Sequence, residues 1–398
     1  MKPFVLILTL CACAAVGQAQ PRTFIYDPQV VEGVRSAIQS GSKEYAAALK
    51  ALRSAAENEL ATRPVSVVEK KQLPPSGDKH DYMSFGKYWW PDPAAKDGRP
   101  YIRRDGEVNP EVNDFPDDKN LGRMLRAVTT LSYASYFLGD RRYADQAAVV
   151  LRVWFLDSLT RMNPNLNFAQ AVPGRNDGRG AGIVDAHQLP KLVDALGMLE
   201  ESPSLTRQDR EGLQAWFRAY LRWLRESKNG KQEAQAKNNH GCWYDVQVVS
   251  VALYVGDRDL ARNVLTQSRE VRIARQIEPD GTQPMELART RSFGYSMFNL
   301  EAMAQLALMG ERIGVDLWQF ETKDGRGIRT ALDFLLPYIF GEKRWERQQI
   351  VDVKLNPMYP LLLEAARAYK EKKYADAAAR IPDAQKLSQS TALYLGRR

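Results

Sequence analysis

The run Asn238-Asn239-His240-Gly241-Cys242-Trp243-Tyr244-Asp245 sets an amide pair, an imidazole, an indole, a phenol and a carboxylate side by side. The chain holds only three histidines, so one in such company is the first candidate for a place where chemistry happens. From Trp243 onward the sequence reads as a helix with an apolar face, which sets His240 at or near a helix start. There Asn239 and His240 can turn side chains and backbone N–H groups toward an anionic ligand. His240 and Tyr244 are four residues apart and share a helix face, flanked by Trp243 and Asp245. The plain alternative is a polar cap in which Asn caps, His bonds locally and the aromatics pack.

A second cluster, Glu286-Leu287-Ala288-Arg289-Thr290-Arg291-Ser292-Phe293-Gly294-Tyr295, follows the turn-like Pro279 to Pro284. Arginine offers a planar fork suited to carboxylates. A tyrosine beside it can move a proton where positive charge stabilises the phenolate. The alternative is a surface Arg/Glu network followed by a core tyrosine. A third segment, Pro173 to His187, is glycine-rich but lacks the preceding strand and terminal Lys-Ser/Thr of a phosphate-binding loop. Its glycines permit tight turns that bring Arg175, Asn176, Arg179 and His187 toward a cleft, unless His187 is a satisfied core histidine. Tyr82, Tyr88, Trp89 and Trp90 sit in a Pro/Gly-rich loop, where they serve either as sugar-stacking platforms or as a plug for a helical barrel. His80 precedes that loop and carries little weight. Cys242 and His240 are two positions apart, do not face each other on a helix, and make a poor nucleophile pair.

These groups must be positioned by the rest of the chain. Residues 1–19 read as a signal peptide, with Met1-Lys2 before an apolar run and Gly17-Gln18-Ala19 as the cleavage site. The run is too short for a membrane span, so a periplasmic or secreted protein without stable membrane insertion is expected. The mature chain then keeps only Cys242, and packing rather than disulfides must hold the fold. A net charge of +8 favours a polyanionic partner. With no basic arm, zinc-finger spacing or RNA-binding module, nucleic acid is not expected, and an acidic polysaccharide or oligosaccharide fits better. The scattered histidines form no metal cluster, so no cofactor is expected to be required; a structural calcium on acidic loops stays open.

Residues 20–398 read as one unit, with a loop-rich region over 62–119 and a helical core over 120–398. A first helix is expected over about 29–60. Further helices are expected near 120–138, 141–158, 185–199, 206–227, 242–256, 258–275, 294–309, 327–339, 352–369 and 373–380. Gly139-Asp140 and Gly256-Asp257 punctuate antiparallel partners. Such hairpins cannot bury their faces alone and must close into a bundle, solenoid or toroid.

Taken together, Tyr88 to Pro93, Asp105 to Pro110, Pro173 to Gly182, Asn238 to Asp245 and Arg289 to Tyr295 resemble the alginate-lyase superfamily of polysaccharide lyases. That resemblance implies an all-α fold, an incomplete (α/α) toroid of antiparallel hairpins, with an irregular aromatic-rich N-terminal loop region. It implies β-elimination in a 4-linked uronic-acid polysaccharide: removal of the C5 proton, loss of the 4-linked oxygen, and an unsaturated uronate end. Asn239 and His240 match the family's Asn-His pair, Arg289 its arginine and Tyr295 its catalytic tyrosine; Tyr244 is a second tyrosine candidate. The arginine-to-tyrosine spacing is one residue shorter here, which keeps Arg291 as a rival to Arg289. Either His240 takes the proton, or it prepares a tyrosine that does. Substrate contacts are expected from Arg291, Arg175, Asn176, Arg179, His187, Tyr88, Trp89, Trp90 and Trp243. Gly241 to Asp245 departs from the best-known periplasmic members and leaves alginate, glucuronan and related polyuronates open as substrates. The competing functions are a glycoside hydrolase drawing its acids from Asp177, Asp185 and Asp245, and a noncatalytic periplasmic polysaccharide-binding protein.

Overall fold

A computed structural model describes residues 20–396, so the expected leader over 1–19 lies outside the described residues. The described residues are mostly helical outside the loop region. It opens with α1 (Pro28–Gln39) and α2 (Ala46–Leu60). The single helix expected over 29–60 is therefore two, parted by a turn in which Gly41 takes a positive φ of 84°. Next come β1 (Met83–Phe85), β2 (Trp89–Trp90) and β3 (Ile102–Arg103), then α3 (Asp117–Leu138), α4 (Arg141–Leu151) and β4 (Phe168–Ala171). The helices α5 (Leu189–Met198), α6 (Arg207–Glu226), α7 (Lys228–Ala234), α8 (Asn239–Val255) and α9 (Arg258–Ser268) follow. After two single turns, α10 (Ala274–Gln276) and α11 (Pro284–Leu287), come α12 (Ser292–Glu311), α13 (Ile328–Ile339), α14 (Met358–Tyr369), α15 (Lys372–Arg380) and α16 (Ala384–Leu395).

Local chemistry sets these boundaries. Asp117 and Asp118 stand in the first turn of α3, where carboxylates favour the helix dipole, and Gly139 ends it in the left-handed conformation. Asp140 then caps α4, accepting from the Arg142 N–H. The same device recurs between α8 and α9: Gly256 closes one helix and the Asp257 side chain caps the next. Such two-residue breaks force the joined helices to run antiparallel. Met358 opens α14 only after Pro357, so the helix expected from 352 starts six residues later.

Packing arranges the hairpins as a toroid. An inner row runs α3, α5, α8, α12, α14, each touching the next, while α4, α6, α9 and α15 pack against it from outside. The terminal helices bridge the row's ends, α16 touching α14, α1 and α2, and α2 touching α3. Nearly every residue of α8 and α12 is buried, which explains why neither shows the one-sided apolar stripe of a surface helix. Among the described residues, no helix is long and apolar enough to cross a membrane. The loop region carries two small strand pairs, β1 parallel to β4 and β2 antiparallel to β3. They bring the loops at 83–90 and 102–106 and the glycine-rich segment over one end of the inner row.

Candidate active site

The N-terminal end of α8 opens into a cleft of about 380 Å³. Asn239, His240, Arg289, Tyr295, Arg179, His187, Tyr88 and Trp89 all line it. A turn contributed by Asn238 starts the helix, its side chain accepting from the His240 N–H. Gly241 lets that turn fold tightly, because a Cβ there would stand 2.2 Å from the Ala236 carbonyl oxygen.

Three of the candidate groups, His240, Asn239 and Arg289, are each held from behind by a carboxylate. The His240 ring is in contact with Glu233 of α7, with Nδ1 2.6 Å from a carboxylate oxygen, and the Glu233 side chain is only 4 % exposed. Nδ1 must carry the proton to make that bond, so Nε2 is the basic atom of the neutral ring. Asn239 is buried; its N–H and its Nδ2 donate to the two oxygens of Glu286 at 2.6 and 2.8 Å. This fixes the amide orientation and leaves the second Nδ2 proton for a ligand. Burial pushes the Glu286 carboxyl above its ordinary pKa, against the Asn239 bonds and the Arg289 charge.

Arg289 forks onto Asp105, with Nη2 2.7 Å and Nε 3.0 Å from its oxygens, and its guanidinium carbon lies 3.9 Å from the centre of the Tyr295 ring. Burial alone would raise the Asp105 carboxyl, but the Arg289 fork, the Thr290 N–H and nearby Arg103 hold it well below the usual carboxylate range. Gly106, beside it, has a φ of 79° and lies so close to Thr290 that a Cβ would collide with its hydroxyl. Tyr295 donates its hydroxyl proton to the Tyr88 hydroxyl at 2.9 Å. Burial, and then the neighbouring Tyr88, push the Tyr295 phenol above its ordinary pKa while Arg289 opposes them, so it is protonated at neutral pH.

Apart from Asn238 and Asp185, the rest of the polar lining was not anticipated from the sequence. Lys87 pairs with Asp118 at 3.0 Å, and Arg103 adds a further cation on the rim. Gln170 adopts a left-handed backbone (φ 49°), sparsely populated by residues other than glycine, and bridges two charged neighbours. Its Nδ-equivalent amide, Nε2, donates to Asp185 at 2.9 Å and its Oε1 accepts from Arg179 at 2.8 Å. Lys87, Arg103, Gln170 and Glu233 carried no motif, and Asp105 stood out only within the Asp105 to Pro110 segment. Only their partners across the fold give them a role.

Several expected residues stand elsewhere. Tyr244 and Asp245 face a larger groove of about 1090 Å³ on another side of α8. Tyr244 donates to the Leu224 carbonyl at 3.0 Å, and Asp245 is paired with Arg272. Sharing a helix face with His240 did not bring Tyr244 to the site, because the cleft lies beyond the helix end and only the first turn reaches it. That larger groove contains neither the Asn-His pair nor Tyr295, so the smaller cleft is the candidate. Trp243 is 1 % exposed and backs the wall, its ring packing on His187 and Phe298 at 5.3 and 4.8 Å. Arg291 points to the Gly106 carbonyl and the Tyr88 ring, outside the lining. Arg175 bonds the Tyr101 carbonyl, and Asn176 pairs with Val172 through the backbone. Trp90 donates to the Glu107 carbonyl and lies under Arg104, while Tyr82 is a core plug. His187 is both cleft-lining and largely buried; burial pushes it down to about 4, so it is neutral at pH 7. His80 bonds the Arg161 carbonyl away from the cleft, and the Cys242 thiol is buried and pushed up. Of the three carboxylates considered for hydrolysis only Asp185 lines the cleft, where Tyr82, Ser84 and Gln170 all donate to it. Among the described residues, no group of three or more His, Cys, Asp or Glu is arranged to hold a metal ion.

A family model described as alginate lyase matches residues 66–345. A crystal structure of an alginate lyase from Bacteroides ovatus is 40 % identical, with a TM-score of 0.89 over 94 % of this chain and 99 % of that one. Alginate lyase A1-III from Sphingomonas species A1 is 18 % identical, with a TM-score of 0.56 over 95 % of this chain and 97 % of its own. A variant of A1-III complexed with a tetrasaccharide, also 18 % identical, has a TM-score of 0.58 over 95 % and 97 % of the two chains. The two A1-III structures share the toroid. No curated protein matches the chain.

Proposed function

The chain belongs to the alginate lyase family of polysaccharide lyases, and from that premise we propose that it cleaves alginate by β-elimination at a 4-linked uronate. One observation carries the reading: a single cleft gathers a histidine with a fixed tautomer, a protonated tyrosine, a held amide and a surplus of cations. The free amide proton of Asn239 and the charges of Arg179 and Lys87 meet the uronate carboxylate, where enolate charge develops as C5 loses its proton. His240 Nε2 takes that proton, and Glu233 stabilises the imidazolium through Nδ1. The C5–H electrons become the C4–C5 double bond, the C4–O4 bond breaks, and Tyr295 gives its proton to the departing oxygen. Tyr88 and Arg289 are positioning residues here, one holding the hydroxyl and the other the ring.

The reading extends to an enzyme exported behind residues 1–19 and working without a metal. Sequencing the mature N-terminus and assaying in a chelator test these two points. The reaction is tested on a panel of alginate, glucuronan and uronate-free glucan, read by the ultraviolet absorbance of the conjugated product and by mass. Alginate is expected to give unsaturated ends, and H240A and Y295F to reduce the rate at least about 100-fold, in the range of general acid–base catalysis. Cleavage without absorbance, or near-normal rates in both variants, would reject the assignment.

A further inference from the structure

The catalytic cleft does not end at its own walls. Asp118 lines it and also lines a second, more open groove of about 630 Å³. They border each other again just before α5, where His187 lines the cleft and the adjacent Gln188 lines the groove. The floor is one face of α3, with Lys119, Gly122, Arg123 and Arg126 at spacings of one helical turn; Lys191 of α5 faces them. From Asp118 to Arg126 this face runs roughly 12 Å at 1.5 Å per residue.

Among the described residues, three of its four cations make no ion pair and are free to take a ligand. Asp118, the one carboxylate on the lining, is already paired with Lys87. Arg126 reaches back to Glu59 at 3.4 Å. Lys119 and Arg123 have no hydrogen-bond or ion-pair partner among the described residues, and Lys191 acts on the buried Glu301 without an ion pair to it. Gly122 adds clearance in the middle of the floor, since a Cβ built there would meet nothing within 4 Å. A basic, open groove that borders the cleft at Asp118 has the form of a track for a polyanion.

We propose that this groove between α3 and α5 binds the continuation of the acidic polysaccharide beyond the sugars in the cleft, through Lys119, Arg123 and Lys191. The occupant follows from adjacency to the cleft, through the shared Asp118, and from charge, and it rests on the proposed lyase reading. The groove makes the enzyme favour polymer over short oligomers and makes that preference sensitive to salt, because exposed charges are screened.

The test compares wild type with K119Q/R123Q/K191Q on polymeric alginate and on a defined alginate trisaccharide. KM for the polymer is expected to rise roughly eightfold, about a factor of two for each of the exposed Lys119 and the half-exposed Arg123 and Lys191, with kcat unchanged. Both constants for the trisaccharide should stay at wild type, and the salt dependence on polymer should flatten. A control with the same charge loss at exposed positions elsewhere, R63Q/R207Q/K372Q, should leave the polymer KM unchanged. An equal loss on both substrates, no loss on either, or an equal rise in the control would overturn the groove. Binding of polymeric alginate by affinity electrophoresis separates this proposal from the lyase reading. Wild type that binds but does not cleave, with binding weakened in the triple variant, keeps the groove and rejects the reaction; equal binding by both rejects the groove.

Discussion

Glu233 decides what His240 can do. An imidazole at a helix start has two tautomers, and the 2.6 Å bond to a nearly inaccessible carboxylate selects the one with a basic Nε2. Glu233→Gln keeps the size but can present either an oxygen or an N–H to the ring, and it cannot stabilise an imidazolium by charge. The expected result is a kcat about 100-fold lower with KM nearly unchanged, by analogy of physics with losing the orienting acid of a triad. A rise in KM with kcat intact would instead make Glu233 part of substrate binding. The protonation state of Tyr295 is set the same way. Its partly buried phenol is pushed upward despite the arginine at 3.9 Å, so it keeps its proton at neutral pH, as the proposed donor to the leaving oxygen must.

At the scale of elements, the site is a helix end. The first turn of α8 carries Asn239 and His240, and the chain arrives there through a turn so close that Gly241 has no room for a side chain. Gly241→Ala must push the Ala236 carbonyl or the Arg272 guanidinium aside. A loss of about 1–3 kcal/mol of stability is expected, as for other overpacked positions. The kcat/KM on alginate should fall by more than the folded fraction does, since the displaced turn connects Glu233 to His240. Denaturant titration beside kinetics separates the two, and a variant as active and as stable as wild type would contradict this account of the turn.

Over the whole molecule, the site is closed by contacts between distant parts of the chain. Asp105 in the N-terminal loop region grips Arg289 and the Thr290 N–H, and Arg289 in turn supports Tyr295. Its carboxyl is depressed in the fold, so the stabilisation is present above the ordinary carboxylate pKa and is lost only as pH falls through the lower folded value. Activity should therefore not lose this link anywhere near neutrality. Asp105→Asn removes the charge at every pH. It is expected to lower kcat/KM about tenfold or more at pH 7, and to shift the Tyr295-dependent alkaline limb of the pH–rate profile downward, because Arg289 is no longer neutralised. An unchanged alkaline limb would show that Asp105 does not tune the tyrosine through Arg289.

Much of this was readable in the sequence, because it depends on local rules. Caps and breakers such as Gly139-Asp140 and Gly256-Asp257 act on their nearest neighbours, and they marked the hairpins. Asn239, His240, Arg289 and Tyr295 stood out by residue type and company, and all four line one cleft. Tyr244 and Asp245 were misplaced because a shared helix face gives direction without saying where the cleft lies. Glu233, Lys87 and Gln170 were silent, and Asp105 showed only as part of a matching segment, because a lone charged or amide side chain gains meaning only from what faces it. Arg289 became preferable to Arg291 as a cleft residue when the fold turned one onto Asp105 and Tyr295 and the other onto Gly106. The residue order specifies most helix ends and the groups that line the cleft, since both follow from short-range chemistry. The tautomer, the arginine and the cleft are selected by the three-dimensional packing: Glu233 meets His240 from a separate helix, and Asp105 meets Arg289 from 184 residues away.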